Sequence, residues 1–298
     1  MNHTMKYKAK KNKLFTLLSI ATLTFIMVSC TSSDKKNAWD DENLIGKVKS
    51  FKQFTYEAKE KFGNIEKGDI TSFYENKQVV FNHDGNRMEY NRYDSGGSLS
   101  NKYLFKYDEK GNLIELNRYK SDGSLNEKHL YKKDKQGKVI ETNRYDADGI
   151  LSYKTLFEYD KKGNLIEYNS YDSDGNLKQK YLLKYDKKGN QDGLDILDSD
   201  GNLSYKHKYD EKGNNIERNV YKSDGSLSSK KEYKYKYDEK GNIIEMISNY
   251  FYSFDSSETK TEYKYEYEFD DKGNWINKTE FNNAIPRFII EREIEYFD

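Results

Sequence analysis

Glycine recurs through the middle of this chain at intervals that are always an even number of residues. Fourteen repeat glycines stand at Gly85, Gly97, Gly111, Gly123, Gly137, Gly149, Gly163, Gly175, Gly189, Gly201, Gly213, Gly225, Gly241 and Gly273. Most of the gaps alternate between 12 and 14 residues. Because residues two apart on a β-strand share a face, even spacing keeps every repeat in the same orientation. A period of this size indicates a repeat architecture.

Each repeat glycine is predicted to end a tight turn. Aspartate stands three residues before the glycine in eleven of the fourteen repeats, as in Asp108 and Asp160. A type I turn favours Asp at its first position, and a left-handed glycine then closes a three-residue hairpin loop with a bulge. The aromatic residue before Asp would then face the second residue after Gly. We therefore predict the cross-strand pairs Tyr107–Leu113 and Tyr171–Leu177.

The repeats predict an all-β fold, a single antiparallel β-meander of about fifteen strands. The regular repeats run over residues 80–245, an irregular cap follows over 246–298, and the whole of 41–298 is one domain. Leu44 to Glu57 is predicted to supply leading strands. Several strands are apolar on both faces, and fifteen strands exceed an ordinary flat sheet. We therefore expect an elongated sheet that is twisted, superhelical or half-closed.

The N-terminus has the pattern of a secretory signal over residues 1–29. Five lysines between Lys6 and Lys13 precede an apolar run that is short for a transmembrane helix. The sequence Met27-Val28-Ser29-Cys30 resembles a bacterial lipobox, which predicts that Cys30 carries lipid and that 30–40 is a flexible tether. A plain signal peptide with a chance cysteine is the alternative. Thr31 supplies no aspartate-type inner-membrane retention signal, which favours the outer membrane.

The charge balance and the absence of recognisable motifs argue against several functions. Removal of residues 1–29 takes away five lysines and no acid, leaving 46 basic against 51 acidic residues. That balance argues against a nucleic-acid partner. The isolated histidines His83, His129 and His207 form no motif, and Asp172-x-Asp174-Gly175 lacks the other ligands of a calcium loop. We predict no enzyme activity, no cofactor and no metal.

The repeat unit itself resembles a known family. Tyr159-Asp160-Lys161-Lys162-Gly163-Asn164-Leu165 is similar to the motif of the YD or RHS repeat family, and the resemblance covers roughly residues 80–275. It implies a long spiralling β-sheet, which in some members forms a shell around a toxin. Some members are described as carbohydrate-binding. The chain also resembles short repeat lipoproteins of bacterial envelopes.

These observations predict a non-catalytic, lipid-anchored envelope protein that binds a glycan or an envelope protein. The predicted ligand-binding residues are Tyr93, Tyr119, Tyr145, Tyr171 and Tyr221. Tyrosine rings suit stacking on sugars, although the same rings could serve only cross-strand packing. A second hypothesis is a protein-interaction module acting through sheet edges, and a third is an enzyme with an unrecognised site. Uniformly short loops and charges on both faces, such as Glu167 and Lys178, disfavour a transmembrane barrel.

Overall fold

The computed structural model describes residues 37–254 and 256–298, so the predicted signal peptide and Cys30 lie outside the described residues. These residues form one short helix and nineteen strands. They are α1 (Ala38–Asp41), β1 (Val48–Lys61), β2 (Asn64–Ile70), β3 (Asn76–Phe81), β4 (Arg87–Tyr93), β5 (Leu99–Tyr107), β6 (Leu113–Lys120), β7 (Leu125–Lys133), β8 (Val139–Asp146), β9 (Leu151–Tyr159), β10 (Leu165–Asp172), β11 (Leu177–Tyr185), β12 (Gln191–Leu197), β13 (Leu203–Tyr209), β14 (Asn215–Tyr221), β15 (Leu227–Tyr237), β16 (Ile243–Tyr252), β17 (Glu258–Phe269), β18 (Trp275–Asn282) and β19 (Ile285–Tyr296).

The turns have the predicted geometry. All fourteen repeat glycines have a positive φ, between 76° and 96°. In a representative turn, the Gly163 amide donates to the Asp160 carbonyl at 3.0 Å. The Asp160 carboxylate accepts from the amides of Lys162 at 2.9 Å and Asn164 at 2.8 Å. The predicted pairs Tyr107–Leu113 and Tyr171–Leu177 are confirmed, and each adjoins a bulge.

The backbone requirement of these turns can be measured at Gly175. Its φ is +83°, and an added methyl would meet nothing within 4 Å, so Gly175→Ala tests the left-handed conformation alone. We expect a loss of about 1–2 kcal/mol in the free energy of unfolding, measured by urea titration. Gly96→Ala is the control, because Gly96 lacks a positive φ and its new methyl would contact only the Asp94 carboxylate, at 3.3 Å. Equal losses in both variants would refute the argument.

The expectation of a half-closed sheet of about fifteen strands is wrong, because the meander closes on itself. Strands β3 to β19 pair antiparallel in chain order. Strand β1 then pairs with β19 on one side and with β3 on the other, so eighteen strands form a barrel. The extra strand β2 pairs with the C-terminal part of β1, from Tyr56 to Lys61. Closure joins residues 48–57 to 288–296, a pairing that carries no repeat motif and cannot be read from the periodicity.

The two faces of the barrel wall differ in chemistry. The inner face carries the buried apolar side chains, including Phe51, Phe105, Leu116 and Phe157, which are 0–8% exposed. Side chains converge on the concave side of a closed sheet, and burial there raises the pKa of Tyr107, Tyr235 and Tyr267 to about 12. The outer face carries mainly lysine, glutamate and asparagine.

The barrel has two distinct rims. The N-terminal rim holds the turns of Gly85, Gly111, Gly137, Gly163, Gly189, Gly213, Gly241 and Gly273. The opposite rim holds the turns of Gly97, Gly123, Gly149, Gly175, Gly201 and Gly225. Both ends of the described chain lie at the N-terminal rim, because β1 starts there and β19 ends there.

A short N-terminal segment, residues 37–46, packs across the seam where the barrel closes. Residues 37–40, assigned to the tether from sequence, belong to a capped helical turn. The Trp39 indole donates to the Val48 carbonyl at 2.8 Å, and the Ala38 amide donates to Gly85 at 3.0 Å. On the other side of the seam, the Ile45 amide donates to the Asn274 side chain at 2.7 Å. The segment thus bridges strands from both ends of the chain.

Glu42 is the electrostatic centre of this segment. Its carboxylate lies 2.6 Å from Lys77, 3.1 Å from Arg87 and 3.9 Å from Arg292, and its side chain is only 10% exposed. Burial acts to raise the pKa of Glu42, but the three cations outweigh it and hold the pKa below its usual value. One buried carboxylate therefore links β3, β4 and β19.

Candidate functional site

The structure brings the five predicted tyrosines to one level of the barrel. They lie on the outer face beside the opposite rim, at the ends of β4, β6, β8, β10 and β14. We call them the outer tyrosine row: Tyr93, Tyr119, Tyr145, Tyr171 and Tyr221. All five are half-buried. Leu197 holds the equivalent place on β12. Alternate strands place the first four rings of the row about 10 Å apart, and Leu197 leaves a gap of about 20 Å before Tyr221.

Three tyrosines of the row, Tyr119, Tyr145 and Tyr171, have lysine on one neighbouring strand and leucine on the other. Tyr93 instead lies between Asn76 and Leu99, and Tyr221 lies opposite Leu227. Tyr145 lies opposite Lys128 on one side and Leu151 on the other, and Tyr171 repeats this with Lys154 and Leu177. A shallow depression of about 230 Å³ opens at the ring of Tyr119. It is lined by Leu99, Lys102, Leu104, Tyr119, Lys120, Ser121 and Gly123. The row therefore offers ring faces, aliphatic patches and ammonium groups together.

The hydroxyl groups distinguish this row from the tyrosines at the other rim. The inner-face Tyr107 donates to the Arg87 carbonyl at 2.7 Å, and Tyr185 donates to Leu165 at 2.7 Å. In the described part of the chain, the hydroxyls of the outer row form no such backbone bond. Tyr93 donates to the Gln78 side chain at 3.1 Å and packs against Phe54. Within residues 37–254 and 256–298, the hydroxyls of the other four tyrosines of the row form no bond of this kind and are open to a ligand.

A charged belt lies below the row on the outer face. Glu141 accepts from the Asn143 amide at 2.8 Å and pairs with Lys154 at 3.4 Å. The hydrogen bond from Asn143, reinforced by Lys154, holds the pKa of Glu141 below its usual value despite partial desolvation. The same Glu–Asn–Lys set recurs at Glu89, Asn91 and Lys102; Glu115, Asn117 and Lys128; Glu167, Asn169 and Lys180; and Glu217, Asn219 and Lys230.

The sequence predicted the inner-face Tyr107 only as a cross-strand partner of Leu113, and no role was predicted for the hydroxyls of the inner-face tyrosines. Their bonds to carbonyls span a constant separation of twenty residues at Tyr107, Tyr159, Tyr185 and Tyr235. The sequence contains this signal, because each of these tyrosines stands twenty residues after the first residue of the strand before its own. These hydroxyls satisfy the carbonyl exposed beside each bulge, so this set serves the barrel wall.

A buried polar cluster lies on the inner face near the seam. The Tyr74 hydroxyl donates to the Glu280 carboxylate at 2.5 Å, and Phe73 stacks on Phe288 with ring centres 4.6 Å apart. Burial raises the pKa of Glu280 and lowers that of Lys278 to about 8. The Lys278 amine lies 5.4–5.9 Å from the ring centres of Tyr74, Tyr265 and Trp275. The cluster fixes the β2–β3 loop against the wall.

The histidines lie apart from one another. His129 is buried with Nε2 3.3 Å from Glu127, and burial lowers the pKa of His207 to about 4 beside Asn215. His83 stacks on Phe297. Over residues 37–254 and 256–298, no three acidic, histidine or cysteine side chains gather as a metal site would require. The described chain also contains no helix of the length and apolarity needed to cross a bilayer.

Comparison with known proteins gives resemblances in fold only. No protein-family description matches the chain, and no curated protein matches it. A porin-like protein from Bacteroides uniformis is similar over 83% of this chain and 96% of its own, at 14% identity and a TM-score of 0.41. The Tc holotoxin pore of Photorhabdus luminescens is similar over 79% of this chain and 18% of its own, at 12% identity and a TM-score of 0.20. Similarities this distant carry no argument about activity.

Proposed function

We propose that this chain is a non-catalytic, lipid-anchored protein of the bacterial cell envelope that binds carbohydrate through the outer tyrosine row. The observation that carries the proposal is the row itself. Its rings share one level and one face, and their hydroxyls are not engaged by the backbone. The resemblance of the repeat to YD repeats, some of which are described as carbohydrate-binding, points the same way.

The row has the chemistry that sugar recognition requires. A tyrosine ring packs against the apolar face of a pyranose, and its hydroxyl donates to or accepts from the sugar hydroxyls. The neighbouring lysines add hydrogen-bond donors. A spacing of about 10 Å between rings is of the order of a disaccharide, so an extended glycan would contact successive repeats. Several weak contacts in a row would raise the affinity by multivalency.

The outer face supports an aqueous position for the barrel, attached to the membrane by lipid at Cys30. A barrel that spans a bilayer presents an apolar band to lipid, and lysine at the bilayer midplane costs about 2–4 kcal/mol. Here the middle of the outer face carries the Glu–Asn–Lys belt, with pairs such as Glu167–Lys180 at 2.7 Å. We therefore favour a tethered barrel, at the outer membrane, over a lipid-embedded pore.

The two alternative functions have weaker structural support. Closure of the barrel removes almost all sheet edges, which strand addition to a partner would need. Among the described strands, only the short β2 has a single partner, and it carries Glu66, Lys67 and Asp69. For an enzyme, the best candidate is the cluster of Tyr74, Lys278 and Glu280, whose contacts already account for the position of the β2–β3 loop.

Glycan binding can be tested with the lipid-free chain from Thr31 to Asp298 on a glycan array. We expect saturable binding that persists at high salt. Tyr145→Ala should weaken it about tenfold, because loss of one stacked ring costs about 1–1.5 kcal/mol. Tyr145→Phe should retain part of the affinity, because the ring remains while the hydroxyl is lost. Isothermal titration with the best array ligand would measure both variants.

Tyr153→Ala is the matched control. Tyr153 is 38% exposed, so it offers a comparable ring on the inner face. Unchanged binding in this variant, with weakened binding in Tyr145→Ala, would support the outer row. The opposite result would place the ligand inside the barrel. A blank array with a folded protein would favour an envelope protein as the partner, to be sought by pull-down.

A further inference from the structure

The two rims of the barrel differ in charge at one position of their turns, the residue before the turn glycine. On the N-terminal rim, the residue before the turn glycine is an exposed lysine in six turns: Lys110, Lys162, Lys188, Lys212, Lys240 and Lys272. On the opposite rim, the same place holds an exposed aspartate in five turns: Asp122, Asp148, Asp174, Asp200 and Asp224. The fold sorts these turns, because successive hairpin turns of a meander fall at alternate ends.

Three adjacent turns concentrate the positive charge. They form what we call the lysine patch: Lys135, Lys138, Lys161, Lys162, Lys187 and Lys188. Its acidic residues are the three turn aspartates, Asp134, Asp160 and Asp186, so six lysines stand against three carboxylates. The Asp160 carboxylate, for example, accepts hydrogen bonds from two backbone amides of its own turn. Lys188 pairs with Glu211 at 2.8 Å, but both side chains are at least 70% exposed, and water screens such a pair. The patch therefore keeps a net positive charge.

The predicted lipid anchor lies at the same rim. Asn37, where the described chain begins, donates through its side chain to the Asp84 carbonyl at 3.2 Å. Asn37 is seven positions after Cys30, and a chain of that length reaches at most about 25 Å. A strand of nine residues, such as Leu99–Tyr107, spans about 30 Å. A lipid on Cys30 would therefore hold the N-terminal rim close to the bilayer.

We propose that the lysine patch contacts the anionic phospholipid surface and orients the barrel on the membrane. This proposal rests on the lipid anchor of the proposed function. The N-terminal rim faces the headgroups, and the outer tyrosine row and the aspartate tips point away from the membrane. Each basic residue beside an anionic membrane strengthens attachment about fivefold, whereas the aspartate rim would be repelled. The anchor supplies proximity and the lysine patch supplies orientation.

Two reporter positions test the orientation in the full lipidated protein. Glu109→Cys labels an exposed turn tip of the N-terminal rim, and Ser223→Cys labels the equivalent tip of the opposite rim. Each variant, carrying a fluorophore, is reconstituted on phosphatidylcholine vesicles that contain phosphatidylglycerol and headgroup-quencher lipids. We expect strong quenching at position 109 and little at position 223. Equal quenching, or the reverse order, would overturn the proposal.

A variant with two lysines replaced then tests the contribution of the lysine patch independently of the lipid anchor. Lys161→Ser with Lys187→Ser should lower the ratio of surface-bound to detached barrels about 25-fold, since two lysines are lost. Lys120→Ser with Lys222→Ser removes two exposed lysines from the opposite rim and should leave quenching at position 109 unchanged. If both pairs act alike, the lysine patch has no special role and the proposal fails.

The presence of the lipid anchor is tested by a separate measurement. Mass spectrometry of the mature protein shows whether Cys30 carries lipid. If it does not, a full chain with Cys30→Ser and the reporter at position 109 is mixed with the same vesicles. Quenching that disappears at high salt would still support the lysine patch. No quenching on phosphatidylglycerol would overturn it, whatever the state of Cys30.

Discussion

Replacement of Glu42 by alanine is expected to lower the free energy of unfolding by about 3–5 kcal/mol. Removal of this carboxylate would leave Lys77, Arg87 and Arg292 without their shared partner, and all three side chains are at most 13% exposed. Unpaired buried charge is more costly than the pair is favourable, which explains the size of the effect. Urea unfolding followed by tyrosine fluorescence would measure it.

Two comparisons make this result specific. Glu211→Ala removes a carboxylate from the exposed pair with Lys188 and should change stability by less than about 1 kcal/mol.

The second comparison is the pH dependence of the free energy of unfolding. Because the pKa of Glu42 is depressed in the folded protein, its contribution is complete above the unfolded carboxyl pKa and is lost as the pH falls through the folded value. The difference between the native protein and Glu42→Ala should therefore shrink in acid. A constant difference would contradict the role of the charge.

Phe51→Ala should be about as damaging, with a loss of about 3–5 kcal/mol. Phe51 is fully buried on the inner face of β1, where it stacks on Phe81 and lies 4.8 Å below the Arg292 guanidinium. Its removal leaves a cavity in the cluster that joins β1 to β3 and β19. The expected readout is a lower denaturant midpoint together with faster hydrogen exchange in β1 and β19, because the seam would open first.

Phe62→Ala provides the matched control. Phe62 lies in the tight turn between β1 and β2 and is fully exposed, so the same substitution removes no packing. Stability should change by less than about 0.5 kcal/mol. If Phe62→Ala destabilised the protein as much as Phe51→Ala, the seam would not be the weak point of the barrel.

Both predictions concern the seam because the rest of the wall is built differently. Between β3 and β19, each strand pairs with its neighbour in the chain, so a short hairpin closes every pairing. The β1–β19 pairing instead joins residues more than two hundred positions apart. Its loop-closure entropy is the largest in the molecule, and strong local contacts must offset it. Glu42, Phe51 and residues 37–46 provide those contacts.

The outer tyrosine row shows what a repeat sequence reveals about a site. Even spacing predicted that the tyrosine before every turn lies on the same face, and this prediction is wrong. The extra residue of each bulge reverses the face, so Tyr107 lies on the inner face and Tyr119 on the outer face. The five tyrosines of the row share one face because they all precede turns of the same rim. Periodicity could not tell which face is concave, because both faces carry polar residues in alternation. It also could not separate tyrosines whose hydroxyls bond to the wall, such as Tyr107, from those whose hydroxyls point outward, such as Tyr145.

The turns and the pairing of neighbouring strands were determined by the sequence alone. Asp-x-x-Gly has one favourable hairpin geometry, so pairs such as Tyr171–Leu177 follow from local chemistry. Closure was decided by the tertiary structure. Local turn geometry says nothing about where the two ends of a twisted meander meet. That depends on the accumulated twist and curl of all the strands and on the packing of β1, β19 and Glu42 at the seam.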